Sequence, residues 1–306
     1  MKNSISTPTF PSLLQQFFVE RLIQQKNASP RTVATYRDTF RLLLVFAQHR
    51  LHKPPADLTL AELDAALILA FLDHIEKERH NSIRSRNARL SAIRSFLNYA
   101  ALRDPLALST IHRVLAIPIK RFERPLMDFF SREEIDAILN APDPTTWFGQ
   151  RDRVMFTTLY NTGARVSELI GMTVKDTVLA RSPSMRIHGK GRKERTVPLW
   201  RRTATQLRRW LRQIDSSPDQ HLFPNRSGGP MSRTGVTDRL QLAARTAEQY
   251  CPQLLQRKIS PHRIRHSTAC HLLQAGVDLT VIALWLGHES PSTTHIYVEA
   301  DLTTKQ

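Results

Sequence analysis

A cationic segment near the C-terminus, SPHRIRHSTACHLLQ at residues 260–274, combines residue types that bind phosphate. Ser260 is a favourable N-cap and Pro261 a favourable first helical residue, so a helix is predicted to begin there. His262 then lies in the first turn, and Arg265 lies one turn later on the same face. Because free backbone N–H groups and the helix dipole favour an anion at a helix N-terminus, the segment predicts a phosphate-binding site.

The same helix also places three potential metal ligands four residues apart, at His262, His266 and Cys270. However, the zincin pattern HExxH is absent, and Arg263 is an unfavourable neighbour for a divalent cation. We therefore predict no metal and no cofactor. His266 is expected to hydrogen-bond to the residues of the phosphate site, and Cys270 is expected to pack in the interior.

Two further segments supply cations in settings suited to a phosphate. In TGARVSEL, Arg165 opens a helix and Glu168 lies one turn on, where it can orient the guanidinium. In HGKGRKER, Lys190 lies between two glycines that let the backbone approach a substrate, and Lys193 competes for the same role. Considered alone, the first segment also fits a surface ion pair, and the second also fits a solvated turn.

A fourth segment, LGHESPSTTHIYVEAD, places His288 at the end of a helical pattern and Tyr297 nine residues later. A tyrosine at such a position is usually a structural residue. The segment alone therefore assigns no chemical role to Tyr297.

In their order and local contexts, these segments resemble those of the tyrosine recombinases, of the Xer and phage-integrase type. The resemblance covers the whole chain and is most specific in TGARVSEL, GKGRKERTVPL and SPHRIRHSTACHLLQAGVDLTVIALWLGHESPSTTHIY. It implies an active site in which all six positions hold the expected residue type: Arg165, Lys190, His262, Arg265, His288 and Tyr297. Glu168 and His266 are expected to support these residues.

The resemblance implies a site-specific DNA recombinase that works through a 3′-phosphotyrosine intermediate, without metal or ATP. Tyr297 is expected to attack a phosphate held by Arg165 and Arg265, since two guanidiniums can bind the charged oxygens bidentately. The remaining roles follow the family: His262 as the base, Lys190 as the acid for the leaving 5′ oxygen, and His288 as a hydrogen-bond donor to the phosphate. DNA integration, transposition and dimer resolution are the tasks such an enzyme performs.

The family also implies partners and a location. We expect the protein to bind double-stranded DNA at short inverted-repeat core sites, as a monomer that assembles into a tetramer on DNA. A second recombinase is a further expected partner. The expected location is the bacterial cytoplasm, in association with the nucleoid.

Composition is consistent with a nucleic-acid partner. Lys and Arg outnumber Asp and Glu by 44 to 27, which gives a net charge of +17 and a pI near 10.7. Such a field attracts polyanions. The longest apolar run, Ala65–Leu72, is too short to span a bilayer, and the polar start MKNSISTPTF lacks a signal-peptide core. Only two cysteines occur, Cys251 and Cys270, so we predict free thiols and no disulfide framework.

The first third of the chain predicts a small helical DNA-binding domain. Four helical patterns follow one another: Pro11–Gln25, one that begins at Ser29 and Pro30, one that opens with a capping box from Thr59 to Glu62, and one from Ser82 to about Leu102. The last helix carries four arginines suited to a major groove and its phosphates: Arg84, Arg86, Arg89 and Arg94. A solvated basic face is the alternative.

The fold predicted for the whole chain is mainly α, in two domains. Residues 1–116 form the N-terminal helical, SAM-like core-binding domain, and residues 129–306 form an α+β catalytic domain. Between them, IPIKRFERPLMD at 117–128 predicts a basic linker, in which Lys120 and Arg121 are expected to contact DNA. Within the second domain, a capping box from Ser131 to Glu134 predicts a helix, and MRIHG and ERTVPL predict a hairpin in a small antiparallel sheet.

Three other functions remain as rivals. A DNA-binding protein without catalysis fits the charge but leaves the combination of six residues unexplained. A type IB topoisomerase uses a similar catalytic set, although a helical domain that ends in a basic linker resembles a recombinase clamp more closely. A metal-dependent transposase or nuclease requires clustered carboxylates, and the sequence shows no such cluster.

Overall fold

The computed structural model describes residues 9–122, 128–189, 193–215 and 217–288. Contacts divide the chain into two compact units, Met1–Arg124 and Pro125–Gln306, and this division falls within the segment predicted to be a linker. No helix in the described ranges is both long and apolar enough to cross a membrane. The fold is mainly helical with one small antiparallel sheet, which confirms the predicted fold class.

The N-terminal unit is entirely helical in the described residues. Its helices are α1 (Phe10–Gln16), which continues as a π-helix over Phe17–Gln25, α2 (Pro30–Leu51), α3 (Ala65–Lys77), α4 (Ile83–Ala100) and α5 (Leu108–Leu115). The predicted cap of α2 is confirmed, since the Ser29 hydroxyl accepts a hydrogen bond from the backbone N–H of Thr32. The predicted start of α4 is confirmed as well, and Ser82 caps this helix in the same way. Helix α5 was not predicted.

The predicted start of α3 was wrong. The Glu62 carboxylate does accept from the backbone N–H and the hydroxyl of Thr59, each at 2.9 Å, yet the chain turns again after them. The helix begins at Ala65, and the Asp64 carboxylate accepts from the backbone N–H of Leu67 at 2.8 Å. The reason is that Asp64 offers a second, equally favourable cap directly before the apolar pattern.

Aromatic side chains form the centre of the core of the N-terminal unit. Phe17 is fully buried, and its ring lies 5.5 Å from that of Phe96 and 6.4 Å from that of Phe40. Burying such rings supplies much of the hydrophobic stabilisation of a small unit. Helix α4 therefore has an apolar side fixed in the core, which determines the side on which its arginines lie.

The C-terminal unit contains seven α-helices and three strands in its described residues. They are α6 (Arg132–Asn140), α7 (Trp147–Thr162), α8 (Val166–Gly171), β1 (Thr177–Val178), β2 (Ser184–His188), β3 (Glu194–Pro198), α9 (Arg201–Trp210), α10 (Arg233–Ala247), α11 (Pro261–Gln274) and α12 (Leu279–Leu286). The capping box at Ser131 is confirmed, as is the hairpin of β2 and β3. The strand order is β1-β2-β3, with antiparallel pairing throughout.

Helix α7 is the central element of this unit. Met155, Phe156 and Leu159 on it are fully buried, and α9 and α11 pack against it. A smaller apolar cluster joins α11 to α12 and includes Cys270, which is fully buried as predicted. As a result, the end of α7, the start of α8 and the end of α12 lie together, and these are the places where the predicted site residues occur.

Candidate active site

The turn after α7 is the structural centre of the site. Gly163 ends α7 in the left-handed conformation, with φ of +57°. A Cβ atom at this position would lie 2.4 Å from Cδ2 of Leu286, so only glycine allows α12 to pack this closely on the turn. The glycine that marks the TGAR segment therefore sets the distance between the end of α7 and the end of α12.

Arg165 follows this turn as the N-cap of α8. Its guanidinium Nη1 donates to Glu168 Oε1 at 2.8 Å, and its backbone N–H donates to Glu168 Oε2 at 2.9 Å. Glu168 is buried, whereas the Arg165 side chain is 47% exposed. Hydrogen bonds from Arg195 and Arg165 outweigh the effect of burial and lower the pKa of Glu168. A buried, ionised carboxylate thus lies against an accessible guanidinium.

Arg265 approaches the same turn from α11. The predicted helix start is confirmed, since the Ser260 hydroxyl accepts from the backbone N–H of Arg263. Arg265 is 4% exposed, and its guanidinium donates to the carbonyl oxygens of Gly163 at 2.5 Å and Leu286 at 2.7 Å. Charge-assisted bonds to backbone carbonyls hold this cation in one orientation.

His288 lies directly after the segment that both arginines contact. Arg265 donates to the carbonyl of Leu286, and Arg165 Nη2 lies 3.4 Å from the carbonyl oxygen of Gly287. Burial, followed by the charges of Arg265, Arg165 and Arg195, lowers the pKa of His288 to about 4. The structure therefore brings Arg165, Arg265 and His288 together, with the imidazole neutral at physiological pH.

His262 occupies the exposed first turn of α11. Its Nε2 lies 2.8 Å from Nε2 of His266, and the two rings are nearly perpendicular, with centroids 4.0 Å apart. Burial, followed by the charges of His262 and Arg265, lowers the pKa of His266 to about 3. His266 is therefore a neutral imidazole that contacts His262. Among the described residues, no group of three His, Cys, Asp or Glu side chains is placed to hold a metal ion.

Two of the six predicted residues, Lys190 and Tyr297, lie outside the described residues. Lys193, which competed with Lys190 for the same role, is exposed just before β3. The hairpin is closed by a hydrogen bond from the Gly189 N–H to the Lys193 carbonyl at 2.7 Å. The roles of Lys190 and Tyr297 remain predictions.

Sequence reasoning missed one residue of the site, Arg195 on β3. It donates to Glu168 Oε2 at 2.8 Å through Nη2 and to the Trp285 carbonyl at 2.9 Å through Nε. The signal was present in the strand pattern. In the run ERTVPL, Arg195 alternates with Val197, so a two-residue period places a charged side chain on the apolar face of the hairpin.

The buried histidines predict that the C-terminal unit loses stability in mild acid. The pKa values of His266, His271 and His288 are lowered to about 3, 4 and 4 by burial, from an ordinary value of 6.5. As the pH falls, the unfolded chain binds protons first, so the stabilisation is complete above pH 6.5 and is lost towards pH 4.

Between pH 6.5 and pH 5, we expect the free energy of unfolding to fall by about 2 kcal/mol, mainly through buried His266 and His271. Urea unfolding followed by tryptophan fluorescence measures this unit, because all four tryptophans lie in it. The variant His271→Gln should show a smaller fall. Equal stability of the wild type at the two pH values contradicts this account.

The predicted DNA-binding arginines of α4 differ in their surroundings. Arg84 is exposed and Arg89 is half-buried, whereas Arg86 is 7% exposed, with its Nε 3.6 Å from a Glu76 carboxylate oxygen. Arg94 donates to the backbone carbonyls of Leu115 and Ile117 at the end of α5. Arg86 and Arg94 thus have partners within the unit, so Arg84 is better placed to contact a phosphate.

The first residues of the predicted linker pack on α4. The side-chain amide of Asn87 donates to the Lys120 carbonyl at 2.7 Å and accepts from the Lys120 backbone N–H at 3.1 Å. The Lys120 ammonium pairs with Glu76 at 2.6 Å, and Arg121 is exposed. The remainder of the predicted linker begins at residue 123, and residues 123–127 lie outside the described residues.

We expect Arg84→Gln and Arg86→Gln to have different effects. Loss of exposed Arg84 should reduce the slope of log affinity against log salt by about 1 on any DNA sequence, since one phosphate contact is removed. Loss of Arg86 should leave that slope unchanged and lower the stability of the helical unit, because Glu76 loses a buried partner. Salt-dependent binding and thermal unfolding by circular dichroism distinguish the two. A slope that changes equally in both variants contradicts the assignment.

Comparison with known proteins places the chain in a family. The model described as the phage integrase family matches residues 128–303, and the phage integrase N-terminal SAM-like domain matches residues 14–104. An integrase/recombinase of Sinorhizobium fredii, y4rC, is 48% identical over 294 residues, which is 96% of this chain and 89% of that protein. Tyrosine recombinase XerD of Pseudomonas putida is 33% identical over 288 residues, which is 92% of this chain and 90% of that protein.

Solved structures share the fold. XerH recombinase bound to a palindromic difH substrate superposes with a TM-score of 0.74 at 22% identity, over 92% of this chain and 79% of that one. A lambda integrase dimer (residues 75–356) bound to a core site gives 0.69 at 17% identity, over 95% and 96% of the two chains. The chain belongs to the phage integrase family of tyrosine recombinases, and it is therefore an enzyme of the site-specific DNA recombinase class.

Proposed function

We propose that this enzyme cuts and rejoins DNA strands through Tyr297, at a phosphate held by Arg165, Arg265 and His288. His262 accepts the phenolic proton of Tyr297, and Lys190 protonates the departing 5′ oxygen. Glu168 and His266 hold Arg165 and His262 in position. The contacts of Arg165, Arg265 and His288 at one turn, and of His262 with His266, support this assignment. The roles of Lys190 and Tyr297 rest on the family motifs.

The observation that carries the proposal is the meeting of two arginines at one turn. Arg165 and Arg265 come from different helices, yet their guanidiniums contact the carbonyls of Gly287 and Leu286, next to His288. A phosphodiester gains negative charge on its non-bridging oxygens during attack, and fixed guanidiniums stabilise that charge without reorganisation. A cluster of cations is suited to a phosphate rather than to an uncharged substrate.

The proposed step balances without an external energy source. The phenolate oxygen of Tyr297 forms a bond to phosphorus, and the bond from phosphorus to the 5′ oxygen breaks. The products are a 3′-phosphotyrosine and a free 5′-hydroxyl. Because the phosphotyrosine retains the free energy of the original bond, a second 5′-hydroxyl can attack it and reseal the strand, so neither ATP nor a metal ion enters the proposed reaction.

The proposed assembly consists of four protomers on two DNA duplexes that carry short inverted-repeat core sites. The net charge of +17 supports a strong electrostatic component of binding, and the charges of free protomers repel one another. We therefore expect a monomer in solution and a tetramer on DNA, with a second recombinase as a potential partner in the same complex. A stable tetramer in light scattering without DNA contradicts this expectation.

The proposed location is the bacterial cytoplasm, where the protein associates with the nucleoid. The relatives named above come from bacteria, and the strongly basic composition favours binding to DNA. Integration, transposition and dimer resolution all use the chemistry proposed here. The DNA site distinguishes them, since each task places the site in a different genetic context.

A covalent-adduct assay tests the proposal. The protein is incubated with sheared host genomic DNA in EDTA, denatured, and separated from free DNA, and the protein-linked fragments are sequenced. We expect adducts with the wild type and none with Tyr297→Phe, which lacks only the attacking hydroxyl. The sequenced ends then give the core site.

Other outcomes point to other functions. Tight, salt-sensitive binding with no adduct from the wild type supports a DNA-binding protein without catalysis. Adducts that require added Mg²⁺ contradict the metal-free reaction. If the protein forms adducts and relaxes supercoiled DNA but never joins ends from two different duplexes, the result supports the topoisomerase alternative.

A further inference from the structure

We propose that Arg195 is a positioning residue for strand cleavage, which fixes both the carboxylate that orients Arg165 and the end of the helix that precedes His288. This inference deepens the proposed function and rests on it. Arg195 lies on the β2-β3 hairpin and takes no direct part in the proposed reaction.

The strand pattern places Arg195 towards the interior. Arg195 pairs with Ile187 of β2, and the neighbouring pair on the same face joins Met185 to Val197. These three apolar partners are fully buried, and the Arg195 side chain is 12% exposed. A guanidinium in such a place is costly unless its charge and its N–H groups are satisfied.

Two elements outside the hairpin provide hydrogen-bond acceptors for the Arg195 guanidinium. Nη2 of Arg195 donates to Glu168 Oε2 at 2.8 Å, and Nε donates to the carbonyl of Trp285 at 2.9 Å. Gly287 makes room for the side chain, since a Cβ atom there would lie 3.0 Å from Nη1 of Arg195. One guanidinium therefore joins β3 to α8 and to the last turn of α12.

The contact of Arg195 with Glu168 determines how the Arg165 side chain is held. Glu168 Oε1 accepts from the Arg165 guanidinium, while Oε2 accepts from Arg195 and from the backbone N–H of Arg165. Because Arg195 occupies Oε2, the carboxylate pairs with the Arg165 side chain through a single oxygen. Without Arg195, both oxygens could form a bidentate pair with Arg165 and compete with the phosphate for its N–H groups.

The contact of Arg195 with Trp285 determines the position of His288. The indole of Trp285 donates to the Asn161 carbonyl at 3.0 Å, so this turn is anchored to α7 as well as to β3. Arg195 holds the carbonyl three residues before His288, while Arg265 holds the carbonyl of Leu286. Loss of one anchor should allow the segment to move, and displacements of about 1 Å can cost about 100-fold in rate.

The test compares Arg195→Gln with Arg186→Gln. Arg186 lies on β2 with an exposed side chain, so its replacement removes the same charge from the outer face of the same sheet. DNA affinity and the single-turnover rate of adduct formation are measured separately, on the fragments captured with the wild type. For Arg195→Gln we expect a rate about 100-fold lower and an affinity within about threefold of the wild type. Arg186→Gln should match the wild-type rate.

A double-mutant cycle with Glu168→Gln separates positioning from a general loss of structure. If Arg195 acts through Glu168, its replacement should slow cleavage much less in the Glu168→Gln background than in the wild type. The pH profile should also change. Removing Arg195 raises the pKa of buried Glu168, so the acidic limb of the rate profile should move to higher pH.

Arg195→Lys keeps the proposal testable even when Arg195→Gln unfolds. Lysine retains the charge but cannot reach both acceptors in the same planar arrangement, so we expect a rate about tenfold lower. A folded Arg195→Lys or Arg195→Gln protein with the wild-type rate overturns the inference, as do additive effects in the cycle. If the wild type itself forms no adduct, the proposed function fails, and the inference falls with it.

Discussion

Replacement of Arg265 by lysine should nearly abolish strand cleavage while it leaves DNA binding largely intact. We expect the single-turnover rate of adduct formation to fall by about 100- to 1,000-fold, which is the usual cost of losing one donor to a developing anion. Arg265 uses one end of its guanidinium to bind the carbonyls of Gly163 and Leu286. A lysine ammonium cannot contact both carbonyls and a phosphate oxygen, because it lacks the planar fork of five N–H groups.

Arg263→Lys is the matched control for this substitution. Arg263 lies two residues away on α11 but points elsewhere, with its guanidinium on Asp128, on the Lys258 carbonyl and over the ring of Phe130. Its variant should cleave at the wild-type rate. Adduct formation is measured below the unfolding temperature of every variant, since two carbonyls lose their donors in Arg265→Lys. A cleavage rate close to that of the wild type in Arg265→Lys rules out this role for Arg265.

Gly163→Ala should be among the most destabilising small substitutions in the C-terminal unit. The left-handed conformation costs alanine about 1 to 2 kcal/mol, and forcing a methyl group into packed surroundings costs about 1 to 3 kcal/mol more. The new Cβ atom would lie 2.4 Å from Leu286 Cδ2, so α12 must move away from the turn. We expect the free energy of unfolding to fall by about 2 to 4 kcal/mol, with a loss of cleavage activity as His288 is displaced.

Gly276→Ala isolates the contribution of the backbone. Gly276 has φ of +81°, yet no atom lies within 4 Å of the position of an added Cβ. Its variant should lose only about 1 kcal/mol and keep its activity, because the conformational strain is not accompanied by a clash. Urea unfolding followed by tryptophan fluorescence compares the two. If both variants lose the same stability, the contact between the turn and α12 does not limit substitution at Gly163.

Local features of the structure could be predicted because their causes lie within a few residues. The caps at Ser29, Ser82, Ser131 and Ser260 depend on a side-chain oxygen and a backbone N–H three residues on. The hairpin depends on two short runs and the turn between them. The start of α3 shows the limit of such reasoning, since Thr59 and Asp64 both satisfy the same local rule and only Asp64 caps the helix.

The sequence also predicted candidate residues for the site, although it did not show which residues hold them in position. Arg165, His262, Arg265 and His288 were identified from their motifs, and the described residues place Arg165, Arg265 and His288 at one turn. Sequence could not show that Arg86 pairs with Glu76, nor that Arg94 binds the carbonyls at the end of α5. An arginine on a helix has the same local pattern whether it contacts DNA or its own domain.

By itself, the sequence determined the class of enzyme and the mainly helical fold, and it predicted which side chains react. The tertiary structure decided which cations are buried and what they hold. Arg265 contacts Gly163, which lies 102 residues earlier, and Arg195 contacts Trp285, 90 residues later. Such contacts arise when whole helices and strands pack by their apolar faces, so the partner of each arginine depends on the sum of many side chains and cannot be predicted from the residues next to it.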